Sequence, residues 1–104
     1  MSGGDQVGDR ELTRARPRRK EGIVERELDE ALLLYDPEND QLVRLNGTSA
    51  AIWDLCDGGA TVEAIGCELA RAFPGHPPSS IHDDVCAAVR HLARNSLLSL
   101  TDNP

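Results

Sequence analysis

The stretch LNGTSAAIWDLCDG, residues 45–58, lies where the chain changes from the periodicity of strands to that of helices. Either Asn46 or Thr48 can cap a short helix here, because both side chains accept hydrogen bonds from free backbone N–H groups of a first turn. The apolar positions of this helix are Ala51, Ile52, Leu55 and Cys56. The helix is expected to end at Asp57-Gly58-Gly59, since glycine favours the termination of helices.

Three short apolar segments precede this stretch, at residues 23–28, 31–35 and 41–45. The middle segment is continuously apolar, as expected of a strand that is covered on both faces or flanked on both edges. Residues 36–40 combine Asp-Pro with Asn-Asp, which favours a turn. The pattern predicts a three-stranded antiparallel meander.

Two more helices are predicted after the stretch. Thr61 can cap the first of them, and Pro74-Gly75 ends it. Its apolar positions are Val62, Ile65, Leu69 and Phe73. Ser80 can cap the last helix, and Asn95 suits the left-handed conformation that would close it. The apolar stripe of the last helix is Ile81, Val85, Ala88, Val89 and Leu92, and Leu97, Leu98 and Leu100 are expected to fold back onto the core.

Three strands followed by three helices predict an α+β domain of the winged helix-turn-helix type. We expect this domain to span residues 23–100, followed by a short tail at residues 101–104. Residues 1–22 carry a net charge of +2 and lack apolar periodicity. They are therefore predicted to form a disordered or loosely docked basic arm.

The charge and the apolar content exclude several classes of protein. Residues 23–104 have a net charge of −9, so the domain should repel nucleic acid. Asp83 and Asp84 also stand at the start of the last helix, where a DNA-binding winged helix would meet the bases. No apolar run approaches the ~20 residues of a membrane span, and none lies near the N-terminus as in a signal peptide. The sequence predicts a cytoplasmic protein without membrane association.

The sequence contains no recognised catalytic pattern. Its three cysteines, Cys56, Cys67 and Cys86, form no Cys-x-x-Cys pair, which argues against a disulfide framework and a zinc site. His82 and Cys86 share one helical face, yet a metal would need further ligands, so a packed thiol is favoured. We expect no catalytic residue, no metal and no cofactor.

The third predicted strand is a candidate edge strand, because the chain leaves the sheet as a helix directly after it. Its side chains alternate, with Leu42 and Arg44 on one face and Val43 and Leu45 on the other. An extended peptide could pair with this edge, with Leu42 and Arg44 forming one wall of a groove and the last helix forming the other. Two alternatives stay open: the edge is blunted by Arg44, or it is buried in a homodimer.

The chain resembles the PqqD family over about residues 23–98. The densest similarity is the stretch at residues 45–58. Further matching elements are Thr61-Val62-Glu63-Ala64-Ile65, Leu69, Phe73-Pro74-Gly75 and Asp84-Val85. The resemblance implies a RiPP recognition element, a small winged-helix-like domain that binds the leader segment of a ribosomally made precursor peptide. It would present this peptide to a modifying enzyme, as in pyrroloquinoline quinone biosynthesis.

The resemblance also implies where the peptide binds, namely between the third strand and the third helix. The strand contacts that it implies are Leu42, Val43, Arg44 and Leu45. The helix contacts that it implies are Asp84, Ala87, Ala88, His91 and Arg94. Asn46, Asp57 and Gly58 would serve as cap and turn.

The chain departs from the family pattern in its longer turn at residues 36–40, in its expanded loop at residues 76–80, and in Asn95-Ser96, which replaces a glycine. These differences leave the pathway open. The enzyme partner would be a radical SAM protein, a leader peptidase or another modifying enzyme. Two other hypotheses remain from the sequence, a winged-helix transcriptional regulator and a structural dimerisation module.

Overall fold

The structure, a computed structural model, describes residues 9–101 and shows an α+β fold with two antiparallel sheets. The elements in chain order are α1 (Asp9–Arg14), β1 (Arg16–Arg19), β2 (Val24–Leu28), β3 (Ala31–Asp36), β4 (Gln41–Asn46), α2 (Gly47–Leu55), α3 (Val62–Ala72), α4 (Pro78–Arg94) and β5 (Leu98–Thr101). The α+β class is confirmed, whereas the finer description as a winged helix-turn-helix stays a prediction. Within residues 9–101, no helix combines the length and the apolar character needed to cross a bilayer.

The predicted meander is the sheet β2-β3-β4. β3 is its central strand, and its side chains alternate between buried Leu32 and Leu34 and the exposed Tyr35. The continuous apolar run of β3 therefore reflects pairing on both edges, and only one face of the strand is covered by the core. The other face of the sheet meets solvent.

The turn between β3 and β4 is organised by Asp36, whose side chain is only 1% exposed. Its carboxylate accepts hydrogen bonds from Lys20 Nζ at 2.9 Å, from the backbone N–H of Glu38 at 3.1 Å and from Asn39 Nδ2 at 2.9 Å. Asp40 takes a positive φ of 50°. The Asp and Asn residues that predicted the turn are thus the ones that stabilise it.

Two of the predicted helix caps are confirmed. The Asn46 side chain accepts a hydrogen bond from Ser49 N at 2.9 Å at the start of α2. The Thr61 side chain accepts one from Ala64 N at 3.1 Å at the start of α3. These caps satisfy backbone donors that the helices leave free.

The ends of α4 differ from the sequence prediction. The helix begins at Pro78, so that Ser80 lies inside it, because proline at the first helical position already has a helical φ and needs no N–H. At the other end, Ser96 takes the left-handed conformation with φ 62°. Asn95 keeps a φ of −90°, and its side chain donates a hydrogen bond to the carbonyl of His91 at 2.8 Å.

Residues 9–19, which the sequence pattern places in a disordered or loosely docked arm, form α1 and β1. Leu12 of α1 is fully buried in the main core. β1 pairs antiparallel with β5, from Arg16 opposite Thr101 to Arg19 opposite Leu98. Local periodicity did not reveal this, because β1 consists of Arg-Pro-Arg-Arg and is held by a partner strand about 80 residues away. Residues 1–8 and 102–104 lie outside the described residues.

Basic residues of this segment also close the end of α2. Arg19 Nη1 donates hydrogen bonds to the carbonyls of Trp53 at 3.1 Å and Asp54 at 2.7 Å. These carbonyls lie in the last turn of α2, at the negative end of the helix dipole. Gly58, with φ 84°, donates its N–H to the carbonyl of Pro17 at 2.9 Å. The basic residues thus stabilise the domain itself.

We predict that Leu12→Ala lowers the free energy of unfolding by about 2–5 kcal/mol, because it leaves a cavity in the core. Urea denaturation measures this change. Arg14→Ala, at an exposed position of the same helix, is the control and should be nearly neutral. Equal stability of the Leu12 variant and the wild type would show that α1 is not part of the folding unit.

We predict that Lys20→Met reduces the loss of stability in acid. The Lys20 ammonium and the amide of Asn39 hold the pKa of the buried Asp36 carboxyl below its ordinary value of 3.8. The stabilisation from this carboxylate is therefore complete above pH 3.8 and is lost as the pH falls through the lower pKa of the folded state. Lys20→Met should be less stable than the wild type at neutral pH, and the difference should narrow at pH values below the pKa.

Urea denaturation along a pH series measures this difference. Glu38→Gln is the control, because the exposed Glu38 also binds Lys20 and contributes most to the raised pKa of that lysine. It removes the second carboxylate while the contact between Lys20 and Asp36 remains. A constant difference between wild type and Lys20→Met across the acid range would contradict the role of Asp36.

Candidate functional site

β4 has an open outer edge in the part of the chain that the structure describes. It lies at one end of the strand order β2-β3-β4 and pairs with β3 alone. The backbone N–H and C=O groups that point away from β3 therefore have no strand partner among residues 9–101. The prediction of an edge strand at residues 41–45 is confirmed. Such an edge can accept an extended peptide as an additional strand.

The two faces of β4 have different surroundings. Leu45 is buried in the core and Val43 packs against it, together with the apolar stripe of α4. Leu42 is 65% exposed, and Arg44 is exposed as well. Because side chains alternate along a strand, Leu42 and Arg44 point to the face opposite α4. The expectation that these two residues form a wall facing the last helix is therefore wrong, and Val43 and Leu45 occupy the side of α4.

The helix residues implied by the resemblance share one surface of α4. They are Asp84, Ala87, Ala88, His91 and Arg94, of which Ala88 is half-buried and the other four are exposed. Their spacing of three or four residues places them on one face of a helix. This face borders the buried stripe, so it is accessible to a partner that lies beside the core.

A hydrogen bond joins the start of β4 to the end of α4, from Gln41 Nε2 to the carbonyl of Asn95 at 2.9 Å. Leu45, at the other end of β4, belongs to the same core cluster as Ile81 of α4. The start of β4 is therefore in direct contact with the end of α4, and the two elements share one core. Of the predicted strand contacts, Val43 and Leu45 share the core side with α4, whereas Leu42 and Arg44 lie on the opposite face.

A small pocket of about 70 Å³ lies where α4 begins. Its lining residues are Thr48, Leu69, Phe73, His76, Ile81 and Asp84. Phe73 is 37% exposed and meets the His76 ring edge-on, with 6.0 Å between the centroids. The sequence pattern treats Phe73 as a buried helix position and does not reveal this pocket. The available signal was the Pro74-Gly75 break, which ends α3 at this residue.

The cysteines and histidines of the described residues form one close pair, on α4. Cys86 Sγ and His82 Nε2 are 3.6 Å apart, but no group of three or more His, Cys, Asp or Glu residues between 9 and 101 could hold a metal ion. Burial raises the pKa of Cys56 to about 12, which keeps this thiol protonated at neutral pH. The arrangement offers backbone hydrogen bonding and side-chain contacts.

Comparison with known proteins gives a family and a fold. The family model described as "Coenzyme PQQ synthesis protein D (PqqD)" matches residues 31–98. A search of curated proteins found no match.

Three solved structures are similar to the chain, each with a TM-score of 0.68. TbiB1, in complex with the TbiA(beta) leader peptide, is 20% identical, and the match covers 79% of this chain and 94% of that one. A lasso peptide synthetase B1, complexed with its leader peptide, is 19% identical over 81% and 98% of the two chains. The PqqD truncation of Methylobacterium extorquens PqqCD, described as a RiPP recognition element, is 24% identical over 94% and 99%. These likenesses establish the fold.

We predict that Cys67 supplies the only rapidly reacting thiol of the native protein. Cys67 is exposed, whereas Cys56 and Cys86 are buried, and reaction with a disulfide reagent requires an accessible thiolate. Titration with such a reagent near pH 8 should show one fast equivalent per chain, and all three in urea. A fast thiol that persists in Cys67→Ser would reveal an activated cysteine elsewhere and contradict the prediction.

Proposed function

Because the chain belongs to the PqqD family, we propose that it is a RiPP recognition element. In this role it binds the leader segment of a ribosomally synthesised precursor peptide and presents the peptide to a modifying enzyme. Two of the similar structures hold leader peptides, and the third is described as a recognition element. The observation that supports the proposal most directly is the open edge of β4, whose first residue is hydrogen-bonded to the backbone just after α4.

The leader would add to β4 as an antiparallel strand along Gln41–Asn46. Its backbone would bond to the unpaired groups of β4, and its side chains would alternate between the two faces of the enlarged sheet. Side chains on the core side would meet Ala87 and Ala88 of α4, which are small enough to leave room for them. Main-chain bonds would supply general affinity, and side-chain contacts would supply selectivity.

Charged residues at the two ends of this face would set the orientation of the leader. Asp84 lies in the first half of α4, and Arg94 is its last residue. Asp84 would favour a basic leader residue and Arg94 an acidic one, while His91 would add a polar contact. The pocket lined by Phe73 and Ile81 adjoins Asp84, so an apolar leader residue could extend into it.

This role requires no catalytic group in the chain. The modifying enzyme, of the radical SAM or leader peptidase class or another class, would carry out the chemistry. The recognition element would raise the local concentration of the precursor at that enzyme. A disordered leader loses conformational entropy when it binds, so a moderate affinity is expected.

We predict that strand addition makes binding sensitive to N-methylation of every second residue of the leader. In an antiparallel pair, alternate residues of the added strand direct N–H groups toward the neighbouring strand. One leader peptide is N-methylated at its odd-numbered residues and a second at its even-numbered residues. Only one of the two peptides loses the N–H groups that bond to β4, so their affinities should differ by at least about tenfold. Isothermal titration with the two methylated forms of the cognate leader peptide measures the difference.

The side-chain contacts are tested with Ala87→Gln, which should weaken leader binding about tenfold by filling the space beside β4. Ala72→Gln is the matched control, because Ala72 is also an exposed helical alanine but lies at the end of α3. Equal affinities for the two methylated leaders would exclude strand addition. Equal affinities of the Ala87 and Ala72 variants would exclude the α4 face as a contact.

A further inference from the structure

The solvent-facing side of the sheet β2-β3-β4, here called the outer face, is unusually apolar. Cross-strand pairing arranges its side chains in three rows. The rows are Val24–Tyr35–Leu42, Arg26–Leu33–Arg44 and Leu28–Ala31–Asn46. Antiparallel sheets with one face on the core usually present polar residues to water on the other. The outer face departs from this pattern.

The exposure of these side chains is high. Val24 is 50% exposed, Leu28 44%, Tyr35 36% and Leu42 65%. These are four of the five large apolar side chains that are exposed in the described part of the chain, the fifth being Phe73. Exposed apolar side chains grouped on one surface in this way favour an interaction site.

The outer face also differs in charge from the rest of the domain. Its nine strand positions include Arg26 and Arg44 and no acidic residue, whereas residues 23–104 carry a net charge of −9. The two arginines flank Leu33 in the central row. The acidic side chains of β2, Glu25 and Glu27, point to the other face, where Glu25 accepts a hydrogen bond from Trp53 Nε1 at 2.9 Å.

Tyr35 is held in place at the centre of the first row. Its hydroxyl donates a hydrogen bond to Asp40 Oδ1 at 2.9 Å, and this bond raises the pKa of the phenol. An ordered tyrosine loses little side-chain entropy on binding. Tyrosine and arginine are also the residue types that most often contribute strongly to protein interfaces.

From these observations we propose that the outer face is the docking surface for the modifying enzyme, and that it binds an apolar surface of that enzyme bordered by acidic residues. This inference rests on the proposed function. A leader strand added to β4 would enlarge the same sheet, and alternate leader side chains would join the outer face next to Leu42 and Arg44. An enzyme docked there would contact the recognition element and the bound leader together.

A second copy of the chain fits this surface less well than an acidic partner. Two outer faces in contact would bring four arginines into one interface, and the facing strand positions offer no carboxylate to pair with them. An enzyme surface with carboxylates around an apolar centre would pair with the two arginines of the outer face and cover its exposed apolar side chains.

The test uses Arg26→Glu and Val24→Ser, alone and combined, because both residues lie on β2, away from the β4 edge that binds the leader. Titration with the cognate modifying enzyme should show at least about tenfold weaker binding to the double variant than to the wild type. Leader affinity should be unchanged. Glu27→Arg is the matched control, since it reverses a charge at an exposed position of the same strand on the opposite face, and it should leave both affinities unchanged.

Enzyme affinity of the folded double variant equal to that of the wild type would overturn the inference, as would a wild-type chain that binds leader but no enzyme. Sedimentation provides a further test. If the wild type is a dimer, the double variant is a monomer and enzyme affinity is unchanged, the inference is overturned and the outer face is assigned to self-association. Enzyme binding that is lost in the double variant supports the inference. Failure of the wild type to bind leader would refute the proposed function separately, because enzyme binding is titrated without leader.

Discussion

The alternation of side chains in the sheet β2-β3-β4 is the constraint on which the rest of the structure depends. One set of side chains, including Leu34 and Leu45, lies in the core with α2, α3 and α4. The other set, including Tyr35 and Leu42, faces solvent. Because β4 pairs on one side only, the same sheet offers three distinct surfaces: a packed face, an apolar outer face and an open edge. Each surface can serve a different contact without rearrangement of the others.

Residues of the N-terminal segment stabilise this arrangement through contacts with α2 and with the meander. Arg19 binds carbonyls at the end of α2, and Lys20 binds Asp36 at the turn between β3 and β4. Because Lys20 directly follows β1, its bond to Asp36 connects the β1-β5 sheet to the meander. These contacts place cations beside the carbonyls at the end of a helix and beside a buried carboxylate, where positive charge is favourable. The basic character of the segment has a structural role here.

Several features were predictable from the sequence because they depend on neighbours along the chain. The turn at Asp36, the caps at Asn46 and Thr61 and the alternation of β4 all involve contacts within a few residues. The prediction failed where distant residues decide the conformation, as in the pairing of β1 with β5. It also failed where two local signals competed: Ser80 was predicted to cap α4, but Pro78 begins the helix earlier. The candidate site follows the same division: its strand and helix were recognised, but the pocket at Phe73 was not.

By itself, the sequence determined the order of the elements from β2 to α4, the identity of the edge strand and the family, since periodicity, caps and the residues at 45–58 are carried by short stretches of chain. Only the tertiary structure decided which way each face of β4 points. The two faces of an isolated strand are equivalent apart from their side chains, and the packing of Val43 and Leu45 on the core with α4 leaves Leu42 and Arg44 to the opposite surface. Burial of one face, a property of the assembled core, therefore separates the open edge of β4 from the exposed apolar face of the same sheet.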